Sequence, residues 1–407
     1  MNRVVVTGMG GLSPIGHDWD TISRNLREKK SAIVRRDDWD HYQQINTRLA
    51  APITDFEIPD YYPRKKTRSM GRVSQLSVRA TEVALEDAGL RDDPILSSGD
   101  AGVAYGSSTG STEAIGRFND LARHGSMKNI TATSYIQMMS HTCAVNLGLF
   151  FEIRGRVIPT CSACTSGSQG IGLAYEAIKY GLQKMMIAGG AEELCITEVA
   201  VFDVLYATSV TNDSPEMSPR PFDRDRDGLV IGEGAGTLIL EEYEHAVARG
   251  ATIHAEIVGF GYNADGAHVT TPSSDMMGRA MEISLEDAGI GPEAIGYVNA
   301  HATATELGDI AESQATHRLF GQRMPISSIK SYMGHTLGAS GSLEAWLSVE
   351  MLNSDWYAPT VHLENIDERC GDLDYIRDGR TMSNEYVMSN NFAFGGINTS
   401  LIFRRMK

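Results

Sequence analysis

The chain has 407 residues, 42% hydrophobic and 22% charged, a globular composition with material for two domain-sized units or one large core. Thirty-six Lys plus Arg against 52 Asp plus Glu leave a net charge of −16, which opposes binding to nucleic acid or an anionic membrane. Five cysteines (Cys143, Cys161, Cys164, Cys195, Cys370), odd in number and irregularly spaced, argue against a disulfide framework and for a reducing compartment.

In chain order, MNRVVVTGMGGLSP opens on an apolar strand too short for a signal-peptide core, and no later stretch approaches the roughly 20 apolar residues of a membrane span. A soluble cytoplasmic protein is expected. Between Pro63 and Thr81 stand Arg64, Lys65, Lys66, Arg68, Arg72 and Arg79 with no acid. Most charge runs are solvated faces, but a basic island in so acidic a chain suits an acidic docking partner, and Arg123 and Lys128 are candidates to extend it.

An internal echo sets the architecture. LEDAG occurs at Leu85 to Gly89 and again at Leu285 to Gly289, each time ending an amphipathic helix on a glycine suited to a left-handed cap. Ahead of it, VVVTGMG (Val4 to Gly10) resembles AEIVGFG (Ala255 to Gly261). After it come the short strands AGVAYGS (Ala101 to Ser107) and IGYVNAH (Ile295 to His301). Ordered matches of strand, helix and strand indicate a duplicated unit, with extra residues in the first half between strand and helix.

Each half then repeats one further form. GRVIPTC reads as a strand and TSGSQGIGLAYEAIKYG as a helix with Ile171, Ala174, Tyr175 and Ile178 on one face; KMMIAGGAEE is another buried strand. In the second half PISSIKS reads as a strand and GHTLGASGSLEAWLSVEML as a helix carrying Leu343, Trp346, Leu347 and Met351. Both helices begin rich in Gly, Ala and Ser, which weakens intrinsic helicity but permits backbone-on-backbone packing, as in a buried layer between two sheets. Alternating strands and helices give an α/β fold with mixed, covered sheets.

Cys164 falls where strand gives way to helix, and a thiol there feels aligned amide dipoles that favour the thiolate nucleophile. A buried free cysteine is the bland alternative. Cys161-x-x-Cys164 invites a redox or zinc reading, but no second pair exists and Cys161 is assigned to the strand, so no metal is expected. His301 ends a strand, and His335 is read as occupying the strand-to-helix turn that Cys164 occupies in the first half. Pseudo-twofold packing would bring thiol and imidazoles together as an acyl-transfer site. GEGAG (Gly232 to Gly236) fails the dinucleotide pattern because a strand follows it, and reads as a close-packed turn. NNFAFGGIN (Asn390 to Asn398) reads as a loop that could supply an amide and an aromatic gate.

With SACTSGSQGIG around Cys164, DRDGLVIGEGAGTLILEEYEHAVARGA (Asp225 to Ala251), KSYMGHTLGASG (Lys330 to Gly341) and SNNFAFGGIN from Ser389, the sequence resembles the elongating β-ketoacyl-acyl carrier protein synthases over essentially its whole length. The resemblance implies a thiolase-like, five-layered αβαβα fold of two halves, 1–250 and 251–407. It implies no cofactor, an acyl carrier protein as partner and a homodimer, or a heterodimer with a related subunit. Cys164 would take the acyl chain, while His301 and His335 would bind the malonyl thioester, assist loss of carbon dioxide and stabilise the enolate. Lys330 and Glu344 would support the histidines, with Asp309 and Glu312 structural beside them. The amides of Cys164 and Phe394 would form an oxyanion hole gated by Phe394, and Thr109 would line the acyl pocket. Arg64, Lys65, Arg68, Arg123 and Lys128 would dock the carrier.

Two departures from the family pattern stand out. Its H-G-T-x-T reads HATAT, with Ala302 for glycine and Glu306 where proline is common, and its GGTN reads GGIN. The intact Cys164, His301 and His335 oppose a catalytically dead subunit. The rivals are the same chemistry in a specialised polyketide or polyene pathway, a thiolase acting on coenzyme A, which typically uses a second cysteine where this chain has His335, and a non-enzymatic carrier-binding subunit.

Overall fold

The LEDAG echo has a three-dimensional cause. In the structure, a computed structural model describing residues 1–321 and 323–406, strand β1 (Val4–Leu12) runs beneath helix α1 (Arg72–Asp87) so closely that a Cβ on Gly8 would stand 2.3 Å from the carbonyl oxygen of Ala84. The second half repeats this with a Cβ on Gly259 2.2 Å from the carbonyl oxygen of Ser284. The aspartates match as well: Asp87 Oδ2 accepts the Met9 amide at 2.9 Å, and Asp287 Oδ2 accepts the Phe260 amide at 3.1 Å. Gly89 and Gly289, both at φ 68°, cap the two helices in the left-handed region.

The remaining strands of the main sheet are β2 (Ala101–Gly106), β3 (Val157–Pro159), β4 (Met185–Glu192), β5 (Gly234–Glu242), β6 (Ala255–Ala264), β7 (Ile295–Asn299), β8 (Pro325–Ser327), β9 (Asp374–Tyr375), β10 (Tyr386–Ala393) and β11 (Ile397–Arg405). Their order is β9-β8-β7-β10-β11-β6-β1-β5-β4-β2-β3. Outward from the antiparallel β1–β6 seam, β5-β4-β2-β3 on one side mirrors β11-β10-β7-β8 on the other, with β9 added at the far edge. Even the irregularities correspond. The β1–β5 ladder skips between Val6 and Gly8, and the β6–β11 ladder skips between Ile257 and Gly259.

Five further helices complete the frame: α2 (Ser166–Lys179), α3 (Ile196–Asp203), α4 (Ser274–Ala288), α5 (Glu306–Phe320) and α6 (Ser340–Ser354). Helix α1 covers β1 and β5 on one outer face, and α4 covers β6 and β11 on the other. Between the half-sheets lie α2 and α6, giving the thiolase-like five-layered αβαβα order. Their small residues meet as expected: a Cβ on Gly167 would lie 2.8 Å from Ser342 N, and one on Gly341 2.5 Å from Ser168 N. All eight apolar positions expected on these helices, from Ile171 to Met351, fall in one buried cluster reaching both half-sheets.

Two strands are shorter than the sequence suggested. GRVIPTC is strand only over Val157–Pro159, since proline brings no ladder donor, so Cys161 lies beyond it and not within it. PISSIKS is strand only over Pro325–Ser327; the Ser328 hydroxyl donates to the Ala302 carbonyl and its amide donates to Thr360 Oγ1, and the chain then turns into the short helix Lys330–Met333. The glycine run at 232–236 is a close-packed turn and strand, with a Cβ on Gly232 placed 2.4 Å from the Met333 carbonyl. No helix among the described residues is long and apolar enough to cross a membrane.

Candidate active site

Cys164 sits on a strained elbow. Ala163 adopts a left-handed φ of 50°, and Ala163–Thr165 make a single tight turn before α2 begins. The elbow is held by Ser166, whose hydroxyl donates to the Ala163 carbonyl at 2.7 Å and accepts from the Ser162 amide at 3.0 Å. The amides of Phe394 and of Cys164 itself face the sulfur, where an oxyanion hole would be. Burial among Val199, Phe202, Leu229 and Leu337 nevertheless outweighs both amides and pushes the thiol up to about 12. The amides favour the thiolate as the sequence implies, but one helix start does not offset the loss of hydration, and the resting thiol keeps its proton.

The second half has the same elbow at Leu337, with φ 44°, ahead of α6. Matching the elbows sets Cys164 against Gly338 and Cys161 against His335. His335 is therefore not the counterpart of Cys164; the added helix Lys330–Met333 displaces the correspondence. Its backbone is pinned by its amide donating to the Val230 carbonyl (2.7 Å) and its carbonyl accepting from Gly232 (2.9 Å).

His301 follows β7 by two residues. Glu312 on α5 fixes the turn, accepting the His301 amide at 2.8 Å and the Ala302 amide at 2.7 Å. Asp309 does the same one step on, accepting from Ala304 (3.1 Å) and Phe222 (2.8 Å). Burial raises both acids, Glu312 to about 8 and Asp309 to about 6, against these amide donors. The Ala302 methyl is absorbed by the apolar cluster around Val298, Ala311 and Phe392. Glu306 begins α5, where an acid suits the positive end of the helix.

The imidazoles of His301 and His335 stand edge to face, with ring centroids 5.2 Å apart at 87°. Burial, then the charge of Lys330, holds both well below the ordinary histidine range, so both are neutral. Lys330 is buried in an ion pair with Glu344. Glu344 also accepts from Ser340 (3.1 Å) and from Asn391 Nδ2 (2.7 Å), which lies 3.5 Å from His301 Nδ1. Asn391 is a member of the site the sequence reading missed; its signal was a pair of asparagines inside an otherwise apolar strand.

The sulfur of Cys164 and one ring nitrogen from each histidine lie within 4.8 Å of one another, all buried. They open on a cavity of about 410 Å³ that Phe202, Phe392 and Phe394 also line. The Phe202 and Phe394 rings meet at 4.9 Å across it. Phe394 stands in a hairpin turn between β10 and β11, where a loop was expected, with Gly395 and Gly396 both left-handed. A thiol and two imidazoles could also ligate a soft metal, but ligating histidines usually donate their second nitrogen to an orienting acceptor. Both His335 nitrogens are buried without a protein partner.

Thr109 lies apart from this cavity, its hydroxyl 3.3 Å from Glu198 Oε1. Of the six bases in the basic island, Lys66 pairs with Glu152, Arg72 with Glu233 and Arg79 with Glu82. Arg64, Lys65 and Arg68 remain exposed, on or beside the short helix Arg64–Thr67. Arg123 and Lys128 are exposed at and beyond the end of helix Thr112–His124.

Comparison with known proteins agrees with this architecture. The family profiles for the N-terminal and C-terminal domains of β-ketoacyl synthases match residues 1–246 and 254–364. The chain is 41% identical over 412 residues to a 3-oxoacyl-[acyl-carrier-protein] synthase 2 of Vibrio cholerae, covering 99% of each. A β-ketoacyl synthase crystal structure from Burkholderia phymatum STM815 superposes with a TM-score of 0.99 at 61% identity, over all of both chains. A type II polyketide ketosynthase in complex with its acyl-carrier protein and bound to a hexaketide superposes at 0.87 with 29% identity, again over all of both chains. The chain belongs to the β-ketoacyl synthase family.

Proposed function

We propose that the protein is a 3-oxoacyl-[acyl-carrier-protein] synthase, an acyltransferase that elongates acyl chains by two carbons in fatty acid biosynthesis. The observation that carries this reading is the meeting of one buried thiol with two neutral imidazoles beneath two converging amides. The Cys164 thiol attacks the carbonyl of an acyl-carrier thioester; the new C–S bond forms, and the carrier's sulfur leaves with the proton. The amides of Cys164 and Phe394 hold the oxyanion meanwhile. Malonyl carrier protein then loses its carboxylate as carbon dioxide, and the bonding pair stays as an enolate whose oxygen accepts from His301 and His335. Neutral imidazoles donate there without protonating the carbanion. The enolate carbon attacks the acyl-cysteine, the new C–C bond forms, the C–S bond breaks, and Cys164 departs as a thiolate that takes a proton from water.

Burial, and then the charge of Lys330 paired with Glu344, keeps both rings neutral. Asp309 and Glu312 hold the backbone around His301, and Phe394 swings as the gate. The five free cysteines support a cytoplasmic setting. The sheet ends on β3, whose Val157 is exposed, close in sequence to exposed Leu149, which supports a homodimer joined along that edge; pairing with a related subunit would use the same edge. Mass spectrometry of the enzyme incubated with acyl carrier protein tests the reading. Cys164→Ala should abolish the acyl adduct, whereas His301→Ala and His335→Ala should acylate yet lose condensation by roughly 100-fold or more. A Cys164→Ala variant that still condenses overturns it.

A further inference from the structure

Alternation along β10 turns Asn391 toward the middle layer. Its neighbours face the other way, Asn390 onto Met281 of α4 and Phe392 into the cluster around Val298 and Ala311, whereas Asn391 meets Glu344 of α6. The surroundings dictate which end of its amide lies where. The Glu344 carboxylate, paired with Lys330, can only accept, so Asn391 Nδ2 faces it and donates at 2.7 Å. The other end, Oδ1, is buried without a donor among the described residues, in the room left by Gly341, where a Cβ would stand 2.8 Å from it. Turning the amide over would set oxygen against carboxylate and gain nothing at Gly341. Asn391 Nδ2, which has only hydrogens to present, therefore stands 3.5 Å from His301 Nδ1.

We infer that Asn391 is a positioning residue that locks His301 in the tautomer with its proton on Nε2, so that this ring always has an N–H to offer the enolate oxygen. The inference rests on the acyl-transfer reading of the site. A neutral imidazole carries one proton on one of two nitrogens, and the partner of one nitrogen decides the state of the other. A proton on His301 Nδ1 would meet donor with donor, so Nδ1 keeps its lone pair and the proton sits on the far side of the ring. Asn391 is not among the residues that line the reaction cavity, whereas His301 is, so Asn391 acts through His301. His335 makes the contrast: both its nitrogens are buried with no partner among the described residues, and no neighbour selects its tautomer. An unlocked His301 would for part of the time turn a lone pair toward the developing negative charge, and condensation would fall with that fraction.

The test uses the full-length enzyme with nitrogen-labelled histidines, the His301 signals being identified by their loss in His301→Gln. Ring nitrogen shifts report the tautomer, mass spectrometry reports acylation of Cys164 from acyl carrier protein, and condensation with malonyl carrier protein is followed separately. The wild type should show His301 with its proton on Nε2. Asn391→Asp keeps the shape but, ionised or sharing one proton with Glu344, presents an acceptor to Nδ1. It should move the proton to Nδ1, still acylate Cys164, and condense at least about 100-fold more slowly. Asn391→Leu presents neither donor nor acceptor and should give mixed tautomers with a smaller loss. Lost packing alone would rank the two variants the other way, since aspartate is the closer match in shape. A wild-type ring protonated on Nδ1, an unchanged tautomer in Asn391→Asp, or equal losses of acylation and condensation overturns the proposal. A wild type that never acylates Cys164 overturns the acyl-transfer reading instead, whatever the tautomer.

Discussion

Glu192 Oε2 accepts the amide of Gly338 at 3.0 Å, and Gly338 is the position in the second half that Cys164 holds in the first. The duplicated fold thus has two elbows with an amide pointing inward. One is filled by the protein's own carboxyl, and in the proposed reaction the other receives the substrate, so two similar halves would yield one reaction centre.

That filling makes stability depend on pH. Burial raises Glu192 from 4.5 to about 7. Between those values the folded chain holds a proton that the unfolded chain releases, so this group lowers stability as pH rises toward and through 7. Glu192→Gln keeps an acceptor for Gly338 and removes the titration. The decline in melting temperature from pH 5 to pH 8 should be visibly shallower in the variant, by differential scanning calorimetry; the same slope in both proteins would place the effect elsewhere.

The protonated resting thiol gives a second expectation. With Cys164 pushed up to about 12, its alkylation by iodoacetamide should climb about tenfold per pH unit from 7 to 9 without levelling. Peptide mass mapping separates Cys164 from the other four cysteines. A plateau near neutrality would show a thiolate already present.

Lys330 depresses both histidines, so Lys330→Met should let the pKa of His301 and of His335 rise, as read by NMR titration of their ring protons. The single change also strands Glu344 in the core and should cost about 3–5 kcal/mol in denaturant unfolding. Lys330→Met combined with Glu344→Leu should recover most of that stability without restoring condensation. A double variant as unstable as the single would mean the pair is not the unit holding this part of the core.

Charge reversal of Arg64, Lys65 and Arg68 to glutamate should raise KM for an acyl carrier protein substrate by roughly tenfold or more while leaving turnover of a small acyl thioester unchanged. Reversal of Arg123 and Lys128 asks whether the landing surface extends to them. Equal losses on both substrates would remove the docking role. Because the face is exposed, the carrier-dependent penalty should shrink as salt rises.

The duplication was legible because close packing writes itself into sequence. Gly8 and Gly259 need the absence of a side chain under a helix, and Asp87 and Asp287 need an acid to meet a strand amide, so strand and helix both kept their signatures. That Cys164, His301 and His335 converge was legible by type and motif. The match of His335 to Cys164 failed because the short helix Lys330–Met333 leaves no periodic trace when one turn is inserted between strand and elbow. The burial that raises the Cys164 thiol was not legible, because helix position is visible in sequence and burial is not. Glu192 gave only a weak sign, an acid ending an apolar strand, since nothing in composition tells a buried carboxyl from a solvated one.

The β1–β6 seam has a consequence for how the molecule is made. β1 is the first strand of the chain, yet both its neighbours, β5 and β6, come about 220 residues or more later. At ribosomal speeds of about 5–20 residues per second, β1 waits roughly 10–45 s with both edges open. During that interval Val4, Val5 and Val6 are an unpaired apolar strand of the kind that captures other nascent chains. Variants that slow translation ahead of β5 should therefore lose yield to aggregation while the protein that does fold keeps its full activity.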